Sequence, residues 1–281
     1  MKKAVVSIDL EDWYHLDYVS IKKSNYTMLD GFENILSETE ERKIPISVFC
    51  VTEILDSLKN FFKGIDHSYL ANIDIGLHGI DHTRPLLLEP KEFRKTISDG
   101  KKILEDFFGK EVLGYRAPCF SLDRERLDIL IEEGYSYDSS YIKFKDHPLY
   151  GEIDLRGFVS VQDNIYQKDN FYEFEISTLD IAKKNIPISG GGYLRIFPWY
   201  IFSRMLYKYL SFNDNYTIFL HPFEFSNLKT PAVKELTLMN KFRFKYNQQN
   251  GLTKLVKLLN LLSKNNIKFT NYKELMFFHN N

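Results

Sequence analysis

The chain has 281 residues, 44% of them hydrophobic and 27% charged, enough to build a sizeable core as one large α/β unit or two smaller ones. Its 37 basic and 38 acidic residues give a formal net charge of −1. With no long basic run, that balance excludes an extended nucleic-acid footprint. Two cysteines, Cys50 and Cys119, are too few for a disulfide scaffold, and no window approaches the ~18 apolar residues of a membrane-spanning helix. The opening "MKKAVVSIDLED" lacks the apolar stretch of roughly 7–15 residues that a secretory signal needs, so the expected location is the cytoplasm.

In chain order, strands and helices alternate. "KAVVSI" reads as a buried strand, and "LDGFENILSETEERK" has apolar residues at helical spacing with charges on the outer face. "PISVFCV" is a second strand started by Pro45, and "TEILDSLKNFF" a helix for which Thr52 is a natural cap. "DIGLH" is a short strand. "EPKEFRKTISDGKKILEDFFG" is a long helix with Pro90 in its first turn and Gly109 past its end. "VLGY" and "GYSYDSS" are strands flanking the helix "DRERLDILIEEG". This rhythm predicts a mostly parallel sheet or barrel.

Past residue 150 the rhythm changes. "GFVSVQDNIYQKDNFYEFEIST" alternates like a hairpin, "GGGYLRIF" follows a glycine cluster, "YTIFLHPFEF" is another strand, and "NGLTKLVKLLNLLSKNN" is a helix. One domain over 1–281, with an inserted β-rich segment at about 150–195, is the simplest account. "FPWYIFSRMLYKYL" mixes aromatics with Arg204 and Lys208, as either a core-facing or a membrane-surface helix does; the core-facing reading is preferred.

Polar groups collect where these strands end: Asp9, Glu11 and Asp12, then His78 and His82, Arg116, Asp138 and His221. In parallel α/β folds such ends converge on one mouth. His78 and His82 are four apart, which brings two imidazoles to one ion on a helical turn, with a carboxylate as the natural third ligand. Arg116 can hold a carboxylate through two hydrogen bonds. Taken alone, Arg116 reads as a surface ion pair and His221 as a structural histidine; their joint occurrence at strand ends argues otherwise.

These pieces, in this order, resemble the polysaccharide deacetylase family, also called the NodB-homology domain or carbohydrate esterase family four. "SIDLED" stands for its first motif, "HGIDH" for its HxxxH, "RAPCF" for its RxP-aromatic motif, and "FLHP" for its Leu-His pair. The subgroup associated with bacterial exopolysaccharide and surface-glycan clusters is the closer match, through "DLEDW", "GYRAPCFS", "GYSYDSS", "GGGYLR" and "HPFEF".

The resemblance implies a distorted (β/α) barrel, to which the alternating pattern past residue 150 adds a β-hairpin insertion, and metal-dependent removal of acetyl from an N-acetylated sugar. It makes Asp9 the base, positioned by Arg116, and His221 the acid. His78, His82 and one carboxylate would hold one divalent transition metal, zinc in the first place, with cobalt, nickel or iron as alternatives. Leu10 fills the position next to the base where the family usually has its acidic ligand, leaving Glu11 or Asp12. Glu11 shares a strand face with Asp9 by the period of two, whereas Asp12 reaches in if the strand has already turned.

Trp13, Pro118, Gly191, Tyr193 and Arg195 are the substrate-binding candidates. The glycines would let backbone approach a sugar and Arg195 would meet a phosphate or carboxylate, with a tight turn packed on the barrel as an equal alternative. The implied substrate is nucleotide-linked, lipid-linked or polymeric, met in the cytoplasm or at the inner face of the membrane. The alternatives are a deformylase, an O-deacetylase, or a sugar-binding protein without catalysis in a glycan-assembly complex.

Overall fold

The apolar run after the N-terminus becomes the central strand of a curled sheet, Lys3–Leu10 (β1), buried from its second residue onward. The computed structural model describes all residues except 22, 145–146, 234–235 and 278–281. In chain order β1 is followed by Asp30–Glu41 (α1), Ile46–Cys50 (β2), Leu55–Gly64 (α2), His67–Asn72 (α3), Asp74–Leu77 (β3), Pro90–Phe108 (α4), Gly114–Tyr115 (β4), Arg124–Glu132 (α5) and Tyr137–Asp138 (β5). Three short strands come next, Val159–Gln162 (β6), Ile165–Lys168 (β7) and Phe171–Phe174 (β8), and then a separate hairpin, Thr178–Ile181 (β9) with Lys184–Pro187 (β10). The chain continues through Gly191–Ile196 (α6), Trp199–Leu210 (α7), Asn215–Leu220 (β11), Leu238–Lys245 (α8), Gly251–Lys264 (α9), Lys268–Thr270 (β12) and Tyr272–Phe277 (α10).

The main sheet runs β11-β1-β2-β3-β4-β5-β8-β7-β6, with β12 pairing beside β1. Every pair from β11 to β8 is parallel, and only the β8-β7-β6 end is antiparallel. The sheet curls into a half-barrel; beyond β8, the Ser177 hydroxyl accepts from the Thr217 amide of β11 at 2.9 Å, and a single bridge joins Gly190 to Phe219 of β11. The β-rich segment holds a three-strand meander, whose last strand extends the parallel sheet, followed by the separate β9-β10 hairpin.

Alternation along β1 sorts its side chains. Ala4, Val6, Ile8 and Leu10 join the core beneath the helices. Val5 faces the interior with Phe49, Tyr137, Tyr172, Phe174 and Tyr272, and by the period of two Ser7 and Asp9 share that inner face. Helix boundaries have local causes. Pro90 opens α4, Gly109 closes it in the left-handed conformation at φ 65°, and Asp123 caps α5 through the Arg126 amide at 2.9 Å. Thr52 does not cap a helix: it begins a 3-10 turn ahead of α2.

The core-facing reading of residues 197–210 holds for one face of α7, which buries Phe202, Met205, Leu206, Tyr209 and Leu210 while Tyr200 and Tyr207 stay exposed. Both cysteines are free thiols. No helix of the described residues is long and apolar enough to cross a membrane.

Candidate active site

Parallel register decides which residues meet. Ile8 lies opposite Leu220, Asp9 opposite Phe49, Leu77 opposite Tyr115, and Tyr115 opposite Asp138. The residues that follow these strand ends, His78, Arg116, Ser139 and His221, therefore arrive on one rim beside Asp9 and Glu11.

Arg116 is fully buried and completely satisfied. It donates to Asp9 Oδ1 at 2.7 Å, to Ser7 and Tyr272 hydroxyls at 2.9 Å each, and to the carbonyl and hydroxyl of Ser139 at 3.0 and 2.9 Å. Its guanidinium lies 4.2 Å from the centre of the Phe49 ring. A buried cation with every donor used is a rigid support, and it leaves Asp9 Oδ2 facing the mouth.

Glu11, His78 and His82 bring one ligand atom each within 4.8 Å of one another. His78 Nδ1 donates to the Arg116 carbonyl at 2.8 Å, which leaves Nε2 as the free atom. Burial, above all, lowers the His78 pKa to about 4, so the ring is neutral and able to ligate. Glu11 Oε2 approaches His82 Nε2 at 2.6 Å, out of line for a hydrogen bond, and is a buried oxygen without a hydrogen-bond partner. Burial pushes the Glu11 carboxyl up, but the three surrounding imidazoles together hold it well below the usual range. The two histidines do not share a helical turn. His78 follows directly on β3, and His82 reaches back from a loop in which its own backbone is left-handed, at φ 62°.

Asp12, the alternative ligand, stands outside this group. Its Oδ1 accepts from the amides of Trp13 at 2.8 Å and Met28 at 3.0 Å, capping the 3-10 turn Trp13–His15. The strand turns at this point, and it turns Asp12 away from the interior.

His221 lies on the opposite wall, its Nε2 3.8 Å from Asp9 Oδ2 and 3.7 Å from Glu11 Oε1. Burial lowers its pKa, but the Glu224 carboxylate, at 3.3 Å from Nδ1, overrides this and raises it to about 9. Glu224 also accepts from the His221 amide at 3.1 Å, and Arg195 stands 3.4 Å from its other oxygen. A Cβ on Gly191 would sit 2.1 Å from Glu224 Oε2. The glycine cluster and Arg195 of "GGGYLR" thus clasp the carboxylate of "HPFEF".

That clasp corrects several expectations about substrate contact. Gly191 admits Glu224 in place of a sugar. Arg195, 1% exposed, spends its two terminal nitrogens on the carbonyls of Tyr246 and Arg243 and on Glu224, while its Nε is buried without a hydrogen-bond partner. Trp13 is likewise 1% exposed, packed against Tyr14, Tyr26 and Phe244, and its indole donates to the Tyr26 carbonyl at 3.0 Å. Pro118 is buried at the start of a 3-10 turn; Tyr193 is half-buried and stacks on Phe197. Asp138 is buried beside its cross-strand partner Glu173, not in the mouth. Ser7, Ser139, Tyr272 and Glu224 went unnoticed in the sequence. Only Glu224 left a signal there, a glutamate three residues after a strand-ending residue and just past a proline, as in a capping box.

Comparison with known proteins agrees with this geometry. Residues 25–137 match the polysaccharide deacetylase family model, and residues 139–276 match a domain of unknown function. A peptidoglycan deacetylase of Helicobacter pylori is 24% identical over 123 residues, 44% of this chain and 41% of that protein. A peptidoglycan deacetylase-like protein of Gibberella zeae is 30% identical over 70 residues, 25% of this chain and 21% of that protein. The chain thus matches less than half the length of either relative. Among solved structures, a protein of Mycobacterium smegmatis described as a polysaccharide deacetylase superposes with a TM-score of 0.60 at 15% identity, covering 99% of this chain and 91% of that one. A carbohydrate esterase family four pseudoenzyme from Bacillus anthracis superposes with a TM-score of 0.54 at 12% identity, covering 98% of this chain and 66% of that one. Motifs and matched model lead to one statement: over residues 25–137 the chain is similar to the polysaccharide deacetylase family.

Proposed function

We propose that this protein is a hydrolase that removes acetyl from the nitrogen of an N-acetylated sugar in a bacterial surface-glycan precursor or polysaccharide, using one divalent transition metal, zinc in the first place. The observation that carries this reading is the convergence of Asp9, Glu11, His78, His82 and His221 on one buried point. The donor set fits a metal. Glu11 Oε2 is a buried oxygen with no hydrogen-bond partner, and His78 is held with its second nitrogen free, as a ligating histidine usually is. Glu11, His78 and His82 would hold the ion, which when bound polarises the amide carbonyl and the attacking water.

The remaining work falls to the chain. Arg116 occupies Asp9 Oδ1 and so fixes Oδ2 as the atom that takes the proton from water. The water oxygen adds to the acetyl carbon, and the carbon–nitrogen bond then breaks. His221 Nε2 gives its proton to the leaving nitrogen, so that acetate and an amine result. Glu224 holds the opposite ring nitrogen and keeps Nε2 turned to the mouth. The peptidoglycan deacetylase name of the Helicobacter pylori relative supports a glycan substrate. The substrate would be met in the cytoplasm or at the inner face of the membrane.

The test is elemental analysis of the purified chain, followed by acetate release from N-acetylated sugars. Wild type should carry about one transition metal per chain and the His78→Ala/His82→Ala variant almost none. Wild type that takes up no zinc, cobalt or iron would overturn the mechanism. Metal uptake with neither acetate nor formate released from any glycan would instead favour a sugar-binding protein.

A further inference from the structure

We propose that α8 is a docking element for an anionic membrane surface and seats the mouth of the site against the lipid. The helix is short and almost turned inside out. Only Phe244 of its eight residues is buried, while Leu238 is 86% exposed, Met239 60% and Phe242 43%. Tyr246, just past the helix and 44% exposed, stacks on Phe242 with ring centres 4.5 Å apart, which extends the apolar ridge. A contiguous ridge of this kind is unfavourable in water and marks a surface that something covers.

Charge identifies what covers it. Lys241, Arg243 and Lys245 lie exposed on the same helix. The whole stretch 236–273 contains no Asp or Glu, in a chain whose acidic and basic residues balance as a whole. Apolar side chains interleaved with cations match the acyl boundary and the anionic headgroups of a bilayer together. A second copy of this chain is a poor occupant, because symmetric pairing of the ridge would set two groups of three cations face to face.

Position ties the surface to the site. Phe244 packs against Trp13 and Phe223, with ring centres 6.2 and 5.5 Å away, and Phe223 in turn lies 5.7 Å from His221. Arg195, which clasps Glu224, also donates to the carbonyls of Arg243 and Tyr246 at the end of the helix, at 3.0 and 2.9 Å. A bilayer touching the ridge is therefore next to the rim that carries His221. With the deacetylase reading, on which this last step rests, the substrate class becomes a glycan carried on a lipid.

The experiment is co-sedimentation of the full chain with vesicles of phosphatidylcholine alone and of phosphatidylcholine mixed with phosphatidylglycerol, at low and high salt. Wild type should partition onto the mixed vesicles roughly tenfold or more over the neutral ones, and salt should weaken the binding. Lys241→Glu/Lys245→Glu and, separately, Leu238→Ser/Phe242→Ser should each lower that partition about tenfold or more, with circular dichroism and acetate release from a soluble glycan unchanged. Wild type that ignores both kinds of vesicle overturns the proposal. So does self-association without vesicles that Leu238→Ser/Phe242→Ser abolishes, since the occupant is then a second copy. Vesicle binding without acetate release would leave the docking in place and remove only the deacetylase reading.

Discussion

At the scale of single residues, the site is built from side chains that hold other side chains. Asp9 and His221 face the mouth, but Arg116 and Glu224 determine how they face it. Asp9→Asn should lower kcat by a factor on the order of 10²–10⁴ while leaving KM within a few-fold, since it removes a proton acceptor and keeps the shape. Glu224→Gln keeps an acceptor for His221 Nδ1 but loses the charge, and should lower kcat with little change in KM. Glu224→Ala should lower it further, and steady-state kinetics on one N-acetylated substrate reads both. Equal kcat in all three proteins would remove Glu224 from the machinery. Tyr272→Phe deletes one of the five hydrogen bonds to Arg116 and should cost about 1–3 kcal/mol in chemical denaturation, because a buried charged donor loses its partner.

At the scale of elements, close approaches fix how the pieces dock. A Cβ on Gly31, in the first turn of α1, would meet the Pro222 carbonyl at 1.8 Å, so Gly31→Ala must push α1 and the His221 turn apart. We expect a loss of about 1–3 kcal/mol in denaturant melts, with activity falling further than the folded fraction. Across β5 and β8, Asp138 and Glu173 face each other fully buried. Burial raises both carboxyls, Asp138 to about 6 against the hydrogen bond with Glu173 that lowers it, and Glu173, raised further by the Asp138 charge, well above its ordinary value, so the pair retains a proton that the unfolded chain has given up. The folded state then binds more protons than the unfolded one above about pH 4, so stability falls as pH rises from there through 6 and beyond. Glu173→Gln still donates to Asp138 without needing that proton, and should flatten the fall in a series of thermal melts across this range.

At the scale of the whole molecule, the two matched segments of sequence do not correspond to two separate sheets. β2 to β4 lie in the first segment and β5 begins at its last residue, but β1 precedes it, β11 and β12 flank β1, β8 extends β5, and Tyr272 holds Arg116 from the second segment. The second segment therefore contributes half the frame of the site as well as the clasp on His221.

The sequence by itself determined the alternation of strands and helices, because burial periodicity, proline starts and glycine stops are local. It also determined the set Asp9, His78, His82, Arg116 and His221, because each residue of the set ends or follows a strand or a short motif. It left Glu11 and Asp12 open, and only the tertiary structure separated them: the strand ends at Leu10, Glu11 comes within reach of His78 and His82, and the amides of Trp13 and Met28 take up Asp12. It offered Arg195, Gly191 and Trp13 as substrate contacts, since a side chain's type does not reveal whether a partner 13 to 51 residues away has already claimed it. Ser7, Ser139 and Tyr272 are ordinary strand and helix residues until parallel register places them around one guanidinium. Chemistry that lies along the chain can be read from the chain, whereas contacts between distant segments exist only once the sheet has curled.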